Sequence, residues 1–225
     1  MNNYKKLESG RSMIEMLGVL AIIGVLSVGG IAGYSKAMNK FKTTKVADNV
    51  SMLVANIKTL YAQQNTYTGL NNSAAVDMGV VPDELVVKDT NGKYKSLVNA
   101  FNGPVFVNVA DSTVSTDAKA FVIEFTQLSR EACITLATND WGSGYSSGLI
   151  AIEVKGNATA TAAPTKRSAS LDKVYIGSAS AKTNKGDSIA MPGNTTLAVP
   201  MQVTTAASAC NCDKGNTCSI LWKYY

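Results

Sequence analysis

The first sixty-odd residues change polarity twice. Residues 1–10 ("MNNYKKLESG") are polar and carry Lys5 and Lys6. From Met16 to Ser35 there is no charge at all. As a helix rising about 1.5 Å per residue, that run would be about 30 Å long, the thickness of a bilayer's hydrocarbon core. Beyond it the pattern becomes one-sided. Val46, Val50, Leu53, Val54, Ile57, Leu60 and Tyr61 recur at steps of three and four, while Lys40, Lys42, Lys45, Asp48, Asn49 and Asn56 lie largely off that stripe. No proline occurs between 34 and 64. The spacing therefore predicts one helix over 12–63, apolar all round in its first half and amphipathic in its second.

The remainder alternates on a shorter period. Residues 65–100 read as polar and irregular, with a short helix near 72–78 and a boundary at Pro82. Residues 103–110 and 120–126 alternate in strand fashion, as do 148–154 and 173–177, and "CSILWKYY" is a final aromatic strand. Between the second and third strands, 127–140 reads as a helix opened by Ser129, with Cys133, Leu136 and Ala137 turned inward. Residues 156–170 and 178–196, rich in Ala, Ser, Thr, Gly and Asn, read as surface loops. No repeat of solenoid length is present.

Composition removes several kinds of chemistry. The 225 residues suit one membrane element plus one globular domain. A net charge of +5 is scattered rather than gathered into the patch a nucleic-acid backbone needs, so no specific nucleic-acid site is seen. There is no histidine, which takes away the commonest general base and metal ligand. "GSGYSSG" (142–148) leads into a strand rather than the helix a phosphate cradle requires. Asp83 with Glu84, and Glu124 with Glu131, read as surface charges. No catalytic residue, cofactor site or metal site is assigned.

The N-terminus sets the compartment. Positive charge before the apolar run places that end in the cytoplasm and the rest outside it. Four cysteines, at 133, 210, 212 and 218, then read as disulfides. Three pairings are open. Joining 210 to 212 would strain bridge geometry, and a four-thiolate zinc site is the alternative use. Glu15 is out of place at the mouth of an apolar run, where a carboxylate is costly unless a positive group meets it.

The order "G-R-S-M-I-E" followed by an apolar helix resembles the cleavage and assembly signal of type IV prepilins. "NGPVFV", "FVIEF" and "LSREACITLAT" are similar to the central stretch of type IVb and conjugative-type major pilins. The resemblance implies an α+β fold: a long N-terminal hydrophobic helix stem packed on an antiparallel sheet headpiece, with a disulfide-closed C-terminal region. It implies a leader at 1–10, a membrane and filament-core helix at 11–38 and a headpiece at 39–225. Gly10 is then the last leader residue, Arg11 the first mature residue, and Glu15 the fifth-position acid used in assembly. Arg11 departs from the apolar first residue usual in the family, where the amine is commonly methylated. The family's helix-to-C-terminus bridge puts Cys133 with Cys210, leaving Cys212 with Cys218; Cys133–Cys212 with Cys210–Cys218 is the other arrangement.

What the resemblance implies about function is a structural subunit that polymerises with itself at the cell surface, after waiting in the bacterial inner membrane. Its implied partners are a prepilin peptidase, an assembly ATPase with its inner-membrane platform, and an outer-membrane secretin. A minor pilin or type II secretion pseudopilin shares the same N-terminus. A periplasmic enzyme or binding protein held by an uncleaved signal anchor is the reading of a different class.

Overall fold

A computed structural model describes residues 9–111, 117–142, 147–156, 174–175, 200–212 and 217–225, with the backbone alone at 9–12 and 174–175. The chain divides into two units, Met1–Phe41 and Lys42–Tyr225, and helix α1 (Ser9–Leu60) contributes to both.

In the first unit α1 is apolar all round. Its two serines in the apolar run turn their hydroxyls back onto the helix: Ser27 Oγ donates to the Ile23 carbonyl at 2.7 Å and Ser35 Oγ to Ile31 at 3.0 Å. Neither serine hydroxyl in the run would thus be stranded by an apolar medium. A Cβ added at Gly18, Gly24, Gly29, Gly30 or Gly33 would meet nothing within 4 Å, so these glycines leave notches in the helix surface rather than serving its own packing.

The second unit is built on a five-stranded antiparallel sheet in the order β3-β4-β7-β5-β6, from β3 (Val105–Ala110), β4 (Ala120–Leu128), β5 (Leu149–Lys155), β6 (Val174–Tyr175) and β7 (Cys218–Tyr224). The C-terminal strand β7 is central, with Ile123 and Ile152 both opposite Trp222. Val46, Val50, Leu53 and Ile57 of α1 are fully buried, in one core with Phe121, Phe125, Ile220 and Trp222. Trp222 meets Trp141 and Phe125 edge-on at 5.0 and 6.0 Å, a geometry favoured by the ring quadrupoles. Helix α3 (Arg130–Thr138) is capped by Ser129, whose Oγ accepts from Ala132 N at 3.2 Å, and buries Cys133, Leu136 and Ala137. The short helix α2 (Asn72–Asp77) is capped by Asn71.

Several sequence expectations are corrected. Leu60 is 46% exposed and does not belong to the buried stripe, whereas Asn49, placed off it, is buried with its Oδ1 unpartnered among the described residues. Glu124 is buried, not a surface charge. It lies on the face of the sheet turned away from α1, along with Glu153 and Lys223. Both carboxylates stand opposite Leu221, two positions along β7 from Lys223, and Lys155 Nζ lies 3.1 Å from Glu153. Residues 65–100 are more ordered than they read. They hold a turn of 3-10 helix (Asp83–Leu85) and a hairpin of β1 (Val86–Lys88) and β2 (Tyr94–Leu97), and helix α4 (Val203–Ala209) was not anticipated either. The expected loops at 157–170 and 178–196 lie outside the described residues.

Candidate assembly surface and disulfide cluster

The N-terminal segment offers a surface that water cannot satisfy. Between Met13 and Ile31 twelve large apolar side chains are 52% to 75% exposed. Single exposed apolar residues are ordinary, but a contiguous band of this size marks a contact with lipid or protein. Among the described residues one helix is long and apolar enough to cross a membrane by length and composition. Glu15 is exposed near the beginning of this band, with Met13, Ile14, Met16 and Leu17 around it. The backbone is helical through Gly10 and Arg11, while any pairing of the Arg11 side chain with Glu15 lies outside the described residues.

In the second unit the four cysteines form two adjacent disulfides. Cys133 of α3 is bonded to Cys210, the C-terminal cap of α4, across 77 residues, and Cys212 is bonded to Cys218 across 6. Sγ atoms of Cys133, Cys210 and Cys218 all lie within 4.8 Å of one another. Each cysteine is in a disulfide, so none is available as a metal-binding thiolate in this state. Arg130 Nη2 adds a second tie between α3 and α4, donating to Ala207 O at 3.4 Å.

Three structural residues escaped the sequence reading. Asn99, 4% exposed, accepts on Oδ1 from Phe101 N (2.7 Å) and Gly103 N (3.2 Å) and donates through Nδ2 to Thr126 O (2.8 Å). It thereby holds the turn before β3 against β4, where Gln127 at φ 57° makes an irregularity in the pairing with β7. Asn72 lies along the outer side of β3, accepting from Val107 N at 2.6 Å and donating to Val105 O at 2.9 Å, while Leu70 O accepts from Val109 N at 3.0 Å. Three of the polar groups that this edge strand would otherwise present to another chain are thus used. Lys58 Nζ donates to Ser147 O at 2.6 Å and stands 5.0 Å from the Tyr224 ring centre, a cation–π contact. An "N-x-x-N-G" turn in the sequence signals a bend at Asn99, but nothing local says what its side chain reaches.

Comparison with known proteins bears on these features. The family model described as "PilS N terminal" matches residues 40–223. The major structural subunit of the bundle-forming pilus, from Escherichia coli O111:H- and from Escherichia coli O127:H6 (strain E2348/69 / EPEC), is 29% identical over 155 residues, covering 69% of this chain and 77% of that one. Among solved structures, the type IV b pilin from Salmonella typhi is similar at a TM-score of 0.45 and 14% identity, covering 80% of this chain and 97% of its own. TcpA, a type IV pilin from Vibrio cholerae El Tor biotype, is similar at a TM-score of 0.45 and 20% identity, covering 82% and 99%. With its family model matched over most of the chain, this protein belongs to the PilS N-terminal family.

Proposed function

We propose that this chain is the structural subunit of a type IV pilus, made as an inner-membrane prepilin, cut after Gly10 and polymerised through α1. The observation that carries the reading is the exposed apolar band between Met13 and Ile31. Fully burying a side chain of this kind stabilises by about 1.5–3 kcal/mol, so twelve represent on the order of 20–35 kcal/mol, an upper figure for burial in a filament core. Before assembly the bilayer covers the same band, which makes membrane storage and filament formation two uses of one surface. The glycine notches let neighbouring helices approach closely.

Glu15 gives that apolar packing a register. Cleavage after Gly10 creates a new α-amine on Arg11, and in this reading the carboxylate of a neighbouring subunit neutralises it. An ion pair in apolar surroundings is sustained only when both partners are present, so a subunit docked one step out of place would leave two uncompensated charges. The peptidase, the assembly ATPase with its platform and the secretin are the machinery such a precursor uses. Glu15→Leu is expected to leave membrane insertion and cleavage intact while abolishing surface filaments, read by immunoblot of processed subunit beside electron microscopy of sheared material. Normal piliation by that variant would remove Glu15 from the mechanism.

A further inference from the structure

The two disulfides are placed to exchange with one another. Cys133 on α3, Cys210 at the end of α4 and Cys218 at the start of β7 are all fully buried, and their sulfurs lie within 4.8 Å of one another. Cys218 is held there by the sheet, standing opposite Leu128 of β4, independently of its bridge to Cys212. Cys212 is the least buried of the four, at 7%. Opening the short outer bridge would therefore leave the Cys218 sulfur beside the intact inner one.

We infer that Cys212 is a modification site for small thiols, and that its modification shifts the inner bridge from Cys133–Cys210 to one containing Cys218. The chemistry balances without any oxidant. An external monothiolate attacks Sγ of Cys212; a new bond joins it to Cys212, and the electron pair of the broken bond leaves on Cys218. The Cys218 thiolate attacks one sulfur of the Cys133–Cys210 bridge, and the other sulfur leaves as a thiolate that takes a proton from solvent. One external thiol is consumed, one protein thiol appears, and the number of sulfur–sulfur bonds is unchanged. Exchange of this kind proceeds by thiolate attack through mixed disulfides and is governed by access to the attacked sulfur. Release of the added thiol by Cys210 is disfavoured, because it would close the strained Cys210–Cys212 ring. When Cys133 is the sulfur attacked, α3 stays covalently tied to the C-terminal strand after the outer bridge has been opened. The outer bridge is then sacrificial, yielding to a thiol without untethering the headpiece.

Full-length protein in detergent micelles, incubated with reduced glutathione, quenched in acid and N-ethylmaleimide and mapped by peptide mass spectrometry, tests this directly. Fragment spectra must separate Cys210 from Cys212, which lie two residues apart on one peptide. The expected product carries glutathione on Cys212, a bridge between Cys218 and either Cys133 or Cys210, and one alkylated inner cysteine. Glutathione on Cys212 with Cys218 alkylated and Cys133–Cys210 untouched would overturn the exchange, and a folded protein that takes up no glutathione would overturn the site. As an independent arm, Cys212→Ser leaves Cys218 without its partner, and its purified form should contain Cys218-bridged chains beside Cys133–Cys210 chains. A Cys212→Ser protein with Cys133–Cys210 alone and an alkylatable Cys218 counts against the proposal; should this variant not fold, the glutathione experiment on the unaltered chain decides.

Discussion

Replacing Asn99 by alanine would remove a side chain that closes three backbone hydrogen bonds inside the headpiece. The lost partners are Phe101 N, Gly103 N and Thr126 O, at 2.7, 3.2 and 2.8 Å. Other groups cannot readily move in. A Cβ placed on Gly103 would meet Thr126 O far inside contact distance, so the turn already sits against β4 with no room for an added atom. The backbone bonds Asn99 N to Gly103 O and Asn102 N to Asn99 O, both 2.9 Å, would remain. Each buried polar group left unsatisfied costs about 1–3 kcal/mol, and Phe101 N is only partly buried. A total of about 3–5 kcal/mol follows. With an m-value of about 2 kcal/mol/M, the urea midpoint should fall by about 2 M. The assay is urea unfolding of the full chain in non-denaturing detergent, followed by tryptophan fluorescence, since Trp222 and Trp141 are in the core the turn supports. Asn91→Ala, on the exposed turn of the β1–β2 hairpin, serves as the control and should shift the midpoint by less than about 0.5 kcal/mol equivalent. An Asn99→Ala midpoint indistinguishable from the control, at unchanged slope, would refute the reasoning.

Two further outcomes follow from the same geometry. Asn72→Ala should cost only about 1–2 kcal/mol, because the groups it frees face the sheet edge, yet it should raise concentration-dependent β-aggregation, read by light scattering and thioflavin fluorescence; unaltered aggregation at lowered stability would contradict an edge-guarding role. Burial pushes the phenols of Tyr67 and Tyr224 above their ordinary range, so the folded headpiece retains protons that the unfolded chain releases. Stability from these groups is fully present below about pH 10 and is lost as pH rises beyond it, and Tyr224→Phe should flatten that loss in urea titrations from neutral to strongly alkaline pH.

Elements with a clear period were legible from residues alone. The uninterrupted three-and-four spacing after Ser35 marked α1, and Ser129 marked the start of α3, because a helix cap and a stripe are local facts. The hairpin of β1 and β2 was not legible, since strands of 3 and 4 residues are too short to establish a period of two. Helix α4, "VTTAASA", offers small and β-branched residues where a helix signal needs longer apolar ones, and its Gln202 makes no side-chain cap bond. Glu124 misled because a central strand buried on both faces loses the rule that its polar residues point to water. Asn72 and Asn99 were invisible for a related reason. Both partners of Asn72 on β3 and the Thr126 partner of Asn99 lie 27 to 35 residues away, and only the folded chain brings them together.

The proposed assembly site divides in the same way. Glu15 stood out because a carboxylate at the entrance of an apolar run demands an explanation from chemistry alone, and Gly10 acquired a role only through its fixed distance from Glu15. The contribution of the tertiary structure is the proximity of three cysteine sulfurs, which spacing along the chain does not disclose.

The central claim is that this chain is cut after Gly10 and then built into a surface filament. Intact-mass and N-terminal peptide mass spectrometry of the subunit recovered from sheared filaments tests both halves together. The account predicts a mature chain beginning at Arg11 as the principal protein of the filament fraction. A chain that begins at Met1 or beyond residue 35, or one absent from sheared filaments and retained in the cell envelope, would contradict it.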